Sequence, residues 1–369
     1  MNRIEKIAIA FAGIGLLLFG QAAGAQMTRE EVEGLRREGQ AKGWTFTVAE
    51  NEGTLRPHHE LCGLVIPADW SSDPRQDAQP TARDLPAYFN WCDMGGCTSV
   101  KNQAGCGACW AFATVGILES NILLKHGIEV DLSEQWLLSC NTDNMTCAGG
   151  WFCSRYHMAT GDSCGESGAV FEVDFPYAAQ DLPCGCPYPH QYWIDDWGYV
   201  PGGDIPPVSA IKEAIVNYGP VATAICTPPE FHAYNGGVFN SCDDPGNLDH
   251  GVIIVGWDDS LGSEGAWRIR NSWGTGWGED GYMWIEYGCI QVGNGANWIE
   301  YPGTVWVDFA YIGTELGTFM QPFNTLAEGV SAVPAGGHLR IKAGSTGDTS
   351  TITKAMTIHS YGGTVVIGQ

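Results

Sequence analysis

The sequence predicts an α+β fold in two lobes, the first mainly helical and the second built mainly from strands. Three observations carry this. From Trp110 the apolar residues recur at helical spacing through Ala111, Val115, Leu118 and Ile122, and the run stops at His126 and Gly127, a cationic last turn followed by a glycine. A second helix starts after Ser133, a good cap, and extends to about Cys140. From Val221 onward the chain turns to β-branched runs: Val221 to Ile225, Gly251 to Gly256, Ala266 to Arg270 and Tyr282 to Glu286. These suggest a β-barrel-like second lobe.

The N-terminus justifies itself first. Arg3 and Lys6 precede an apolar run from Ile7 to Gly20 and then Ala23-Gly24-Ala25, the pattern of a cleaved export leader over residues 1–25. The run is too short to span a bilayer as a helix, and an N-terminal anchor is the weaker alternative. Thr28 and Glu31 fit a capping box for a charged helix to about Ala41, before Gly43. Trp44 to Val48 alternates like a short strand, and Ser71 to Arg83 is rich in Pro, Asp and Ser, an exposed linker open to cleavage. Pro206-Pro207 opens a helix with Val208, Ile211, Ile215 and Tyr218 on one face, and Gly219-Pro220 ends it. After Tyr301 charged residues thin out. Short strand-like runs (Val305 to Val307, Leu339 to Lys342, Met356 to Ile358, Thr364 to Ile367) alternate with glycine-rich turns, a spacing that resembles turns of a parallel β-helix. A tail with some β propensity is the alternative.

Composition excludes some functions. The 369 residues carry 18 Lys+Arg against 42 Asp+Glu, a formal net charge of −24, which argues against nucleic acid or an anionic membrane as partner. Fourteen cysteines point to an oxidising compartment, so an exported protein is expected.

The chemistry centres on Gln103-Ala104-Gly105-Cys106-Gly107-Ala108-Cys109-Trp110. It places Cys109 in the first turn of a helix, where unpaired amides and the positive end of the helix dipole favour a thiolate. A disulfide half, or a redox or zinc pair with Cys106, is the competing reading. Far downstream, His250 stands at the start of a buried strand, and Asn271 opens a turn rich in glycine and tryptophan, Asn271 to Tyr282. Cysteine, histidine and asparagine in that order form a known type of acyl-transfer site. His58, His126 and His190 read as surface or cap residues.

With Leu132-Ser133-Glu134-Gln135 and Cys147-Ala148-Gly149-Gly150 between them, these segments resemble the papain family of cysteine proteases over roughly Leu85 to Tyr301. The resemblance implies a papain-like two-lobe fold with the site in the groove between lobes. It covers a peptidase domain (84–302), which follows the leader (1–25) and precedes a β-rich C-terminal extension (303–369); residues 26–83 read as a prosegment that covers the cleft and is removed on activation, with an accessory domain that stays attached as the alternative. It implies Cys109 as nucleophile, His250 as proton carrier, Asn271 as the group orienting the ring, and Gln103 with the Cys109 backbone N–H as oxyanion donors. Trp273 shields the His–Asn bond; Gly149 and Gly150 let substrate backbone approach; Trp151, Phe152, Ala224 and Leu248, beside Asp249, correspond to the main specificity pocket. A hydrophobic residue two positions before the scissile carbonyl is the expected preference, and endopeptidase the expected mode. A silent peptide-binding homologue, a surface-adhesion protein and a peptide ligase are the alternatives.

The same resemblance implies the pairs Cys106–Cys147 and Cys242–Cys289, and Cys140 with Cys184 or Cys186. Cys92–Cys97 and Cys153–Cys164 are reasonable local pairs, with Cys226 and one of Cys184 and Cys186 left open. Setting aside Cys109, and Cys62 with the prosegment, leaves an even number of cysteines. The expected partners are protein or peptide substrates and the chain's own prosegment as inhibitor. No cofactor or metal is expected, no membrane span after leader removal, and a monomer.

Overall fold

The computed structural model describes residues 26–68, 70, 85–158, 162–242, 246–301, 304–315, 317, 321–333 and 337–368. The expected leader and the expected linker at 71–83 lie outside them. Helix α1 (Arg29–Lys42) carries the capping box: the Thr28 hydroxyl accepts from the Glu31 N–H, and Glu31 accepts from the Thr28 N–H at 2.6 Å. Gly43 ends it in the left-handed conformation at φ 73°. Strand β1 (Phe46–Val48) and the single turn α2 (His58–Leu61) follow.

Strand β2 (Tyr88–Asn90) leads to the central helix α3 (Cys109–His126), capped at its C-terminus by Gly127 at φ 70°. This helix is buried on every side rather than along one stripe, polar residues included. Thr114 and Asn121 satisfy themselves by donating to carbonyls one turn back, Trp110 O (2.8 Å) and Ile117 O (2.9 Å). Helix α4 (Glu134–Cys140) starts where Ser133 Oγ accepts from the Trp136 N–H. Strands β3 (Ala169–Val170) and β4 (His190–Gln191) form a small sheet of their own, and β5 (Asp196–Tyr199) leads into the sheet of the second lobe.

Helix α5 (Val208–Tyr218), strand β6 (Val221–Ile225), the turn α6 (Pro229–His232) and strands β7 (Tyr234–Phe239), β8 (His250–Asp258), β9 (Ala266–Arg270), β10 (Tyr282–Glu286) and β11 (Asn294–Glu300) form the second lobe. The sheet runs β1-β7-β10-β9-β8-β6-β11-β5, with β2 also on β8. It is antiparallel except between β7 and β10. No pairing joins β1 to β5 among the described residues, so the sheet stays open where a barrel would close; its edge beyond β7 is taken by the N-terminal segment. Two apolar clusters result, one around α3 and one between the sheet, α5 and a group of tryptophans.

The C-terminal extension holds three parallel strands, β12 (Thr304–Val307), β13 (His338–Thr346) and β14 (Thr357–Ile367). Helix α7 (Leu326–Ala332) lies between the first two, a β-α-β connection rather than a coil of a β-helix. It has its own small core, including Val307, Leu326, Leu339 and Ile341. It docks on the end of α3: Arg340 donates to Lys125 O (2.5 Å) and Leu123 O (3.3 Å), a cation on the last carbonyls of a helix.

Five disulfides form: Cys92–Cys97, Cys106–Cys147, Cys140–Cys184, Cys164–Cys186 and Cys242–Cys289. The expected Cys153–Cys164 pair does not. Cys164 is drawn to Cys186 across the loop that also brings Cys184 to Cys140, while Cys153 lies buried against Thr114 of α3, its thiol pushed up to about 12 by burial. Cys62, Cys109, Cys153 and Cys226 make no disulfide, so cysteine parity is not what sets Cys109 apart.

Candidate active site

Three side chains expected to work together come from three different elements. Cys109 is the first residue of α3, His250 the first of β8, and Asn271 directly follows β9. Antiparallel pairing of β8 with β9 brings the last two together, and α3 packs along β8. The His250 Nε2–H donates to Asn271 Oδ1 at 2.8 Å. The Trp273 ring lies 4.8 Å from the imidazole, and all three of these groups are buried. His250 Nδ1 is buried with no hydrogen-bond partner, so ring and thiol are not bonded to each other in this arrangement.

Both groups are held uncharged. Burial pushes the Cys109 thiol up to about 11, although the backbone N–H groups of Gly63, Gly251 and Trp110 work in the other direction. Burial also lowers His250 to about 4, against the opposing pull of Asn271 and Asp249.

The cause of that burial is the N-terminal segment. The Leu64 N–H donates to Asp249 O (2.9 Å), Val65 N–H to Gly150 O (2.8 Å), and Gly150 N–H to Gly63 O (2.9 Å). Leu64 and Gly150 thus form a parallel bridge, with Gly63 directly over the nucleophile candidate. Gln103 Nε2, the expected oxyanion donor, gives its hydrogen bonds to Leu61 O (3.0 Å), Cys106 O (3.0 Å) and Glu60 O (3.3 Å). Trp273 Nε1–H donates to the same Leu61 O at 3.3 Å. One carbonyl of the N-terminal segment, Leu61 O, thus takes hydrogen bonds from both side chains.

The glycines are explained by close approach. A Cβ on Gly150 would lie 2.6 Å from the Trp110 ring, and one on Gly149, at φ 145°, would meet Val65 and Gly63 O. Gly149, Gly150, Trp151 and Phe152 border one surface groove with Met145 and Trp70. Two other expected pocket residues do not border it: Ala224 is fully buried inside β6, and Leu248 packs half-buried between the two cores.

Some working residues were not singled out from the sequence. Ser272 Oγ donates to Gln103 Oε1 at 2.7 Å and so aims the amide nitrogen; it sits between two residues that were recognised. His58 is exposed, as expected, yet its ring contacts His232 and Asp249, and His190 bonds Glu166 in a half-buried position. His126 does end α3, but packs on His338 of the extension.

The chain is similar to known proteins over much of its length. Residues 85–298 match the model of the papain family of cysteine proteases. The viral cathepsin of Adoxophyes honmai nucleopolyhedrovirus is 35% identical over 57% of the chain and 60% of its own length. Cathepsin L1 of Drosophila melanogaster is 36% identical over 65% of the chain and 67% of its length. The chain thus spans about 60% of the length of the viral relatives it matches. Among solved structures, digestive procathepsin L2 proteinase from Tenebrio molitor larval midgut superposes with a TM-score of 0.63 at 26% identity, covering 75% of this chain and 95% of that one. The chain belongs to the papain family of cysteine proteases.

Proposed function

We propose that the protein is an exported cysteine endopeptidase, held latent by residues 26–83 and carrying its peptidase domain over 84–302. The observation that carries this is the buried His250–Asn271 bond of 2.8 Å beside the first turn of α3. It leaves Nδ1 as the one ring nitrogen able to accept a proton.

With the segment removed, Cys109 transfers its proton to His250 Nδ1, and the Sγ attacks the substrate carbonyl carbon. Asn271 keeps the ring in the tautomer with Nε2–H and stabilises the imidazolium. The developing oxyanion takes hydrogen bonds from Gln103 Nε2 and the Cys109 N–H, in the place where Leu61 O now sits. Collapse breaks the C–N bond, and the leaving amine takes the proton from Nδ1. Water, deprotonated by Nδ1, then releases the acyl group from the thioester and regenerates the thiol.

Substrate pairs in extended form with Gly150, and the Trp151–Phe152 side of the groove favours a hydrophobic residue two positions before the scissile carbonyl. The test is peptide hydrolysis by the processed protein beside Cys109→Ala. Undiminished hydrolysis by the variant sinks the reading. Gln103→Ala is expected to lower kcat by about 10²–10³ with little change in KM, measured by steady-state kinetics. Deleting 303–369 is expected to spare kcat; Arg340→Ala should cost about 1 kcal/mol of stability by urea titration, because it uncaps the end of α3 and not its start.

Export is supported by the five disulfides and by the N-terminal sequence pattern. No helix among the described residues is long and apolar enough to cross a membrane.

A further inference from the structure

Beside the covered site, three metal-ligating side chains from distant parts of the chain converge. His58 and Cys62 stand four residues apart, at the start of α2 and just past its end, so ring and thiol face the same way. His232 closes α6 of the second lobe. The three ligating atoms all lie within 4.8 Å of one another.

The hydrogen bonds around them fix where each lone pair points. His232 Nδ1 is 3.2 Å from Gly53 O, which can only accept, so Nδ1 carries the hydrogen and Nε2 the lone pair. His58 Nε2 is 3.3 Å from a carboxylate oxygen of Asp249, so that nitrogen carries the hydrogen and Nδ1 the lone pair. The two lone pairs face each other, His58 Nδ1 to His232 Nε2, at 3.2 Å. Two acceptors at that distance repel unless a proton or a cation lies between them.

The spacing suits a tetrahedral ion. Zinc bonds of about 2.05 Å to nitrogen and about 2.3 Å to sulfur place two nitrogens about 3.3 Å apart and nitrogen and sulfur about 3.6 Å apart. The structure has 3.2 Å between the nitrogens and 3.9 Å from Cys62 Sγ to His232 Nε2. The outer contacts are those of a metal centre too. Asp249 holds His58, a backbone carbonyl holds His232, and Thr227 Oγ1 lies 3.1 Å from the sulfur while donating to Asp249 at 2.9 Å. A small cavity bordered by Met27, Arg56, Thr227 and Pro229 leaves room for a water as fourth ligand. The one cation there, Arg56, leans on Glu60 at 3.7 Å.

We propose that His58, Cys62 and His232 form a zinc site that clamps the N-terminal segment to the second lobe beside the nucleophile. The proposal rests on that segment being the latency device. Zinc displaces the thiol proton of Cys62 to solvent and forms the Zn–S bond, while the two neutral imidazoles bind through their free lone pairs. Cys62 directly precedes Gly63, and Asp249 directly precedes His250, so the clamp anchors the residue lying over Cys109. A cut between segment and peptidase domain then leaves the segment seated until the metal is lost.

The test uses tag-free protein from Gln26 to Gln369 with Cys109→Ala, which cannot cleave itself and removes the other nearby thiol. Equilibrium dialysis against zinc should give one tightly held zinc per chain. Cobalt in its place should show a thiolate-to-metal charge-transfer band. Adding Cys62→Ser should abolish the band, and adding Asp249→Asn should weaken zinc binding by about 10–100-fold, each with an unchanged near-UV circular dichroism spectrum. A folded chain that retains no zinc overturns the site, as does a band that survives Cys62→Ser. The two readings separate: zinc binding in a protein whose active form begins at Gln26 keeps the site and removes the latency role. An active, shortened form from a full chain that binds no zinc does the reverse.

Discussion

Gly63→Ala in the full chain should release the Cys109 thiol. A Cβ at this position would lie 1.9 Å from Gly107 O, 2.6 Å from Gly107 C and 2.7 Å from Gly107 Cα. All three are backbone atoms, so no side chain can turn away. Gly107 cannot retreat either: its N–H donates to Cys147 O at 3.0 Å, and the adjacent Cys106–Cys147 disulfide pins the loop. The segment must lift instead. It then loses the Val65–Gly150 and Gly150–Gly63 hydrogen bonds and the contact of the Gly63 N–H with the Cys109 sulfur. At about 1 kcal/mol each, three such bonds amount to about 3 kcal/mol, or roughly a hundredfold weaker cover. The measurement is the rate at which iodoacetamide labels Cys109 in the unprocessed chain, read by peptide mapping so that Cys62 is counted separately. An increase of about a hundredfold over the parent is expected. An unchanged rate would show that the segment does not guard the thiol.

That glycine could not be picked out in advance. In the sequence Gly63 is one of 50 glycines, and its neighbour across space lies more than forty residues away. What local chemistry writes was legible: the Thr28 box, the Ser133 cap, the glycine after His126 and both ends of α5 all follow from residues within a few positions. The site residues were legible for a related reason, since each stands inside a short distinctive string even though folding must join the strings. Helix α7 was written just as locally, in Thr325 and Glu328, where Thr325 Oγ1 accepts from the Glu328 N–H, but the strand-like runs on either side drew attention away from it. Features set by long-range pairing stayed hidden. The choice of Cys186 over Cys153 for Cys164 depends on how one loop folds back. The open edge of the sheet depends on β1 meeting β7 across almost two hundred residues. His58 and His232 are separated by 174 positions, and neither lies in a motif.

Lys101→Met should be the most destabilising single change short of breaking a disulfide, at about 3–5 kcal/mol. Lys101 Nζ reaches Glu119 (2.7 Å), Asp131 (2.8 Å), Glu134 (3.0 Å) and the Leu132 carbonyl (2.8 Å). Both Glu119 on α3 and Glu134 at the start of α4 have side chains only 2% exposed. Burial raises both carboxyls, Glu134 to about 8, and Lys101 is the main group pulling them back toward the charged form. Without the ammonium, two buried carboxyls are left without their shared cation, and at least one must take up a proton. Arg270 does not take over, because its guanidinium is committed to the Thr98 backbone and hydroxyl and to Gly116 O. The damage reaches the site through the chain itself: Lys101 is two residues from Gln103, and Asn102 pairs with Trp273. Urea unfolding of Lys101→Met should show the midpoint falling with little change in slope, and the added changes Glu119→Gln and Glu134→Gln should restore part of the loss, since neutral amides remove the uncompensated charge. A loss below about 1 kcal/mol would mean that water reaches these carboxylates and that the cluster is a solvated surface group.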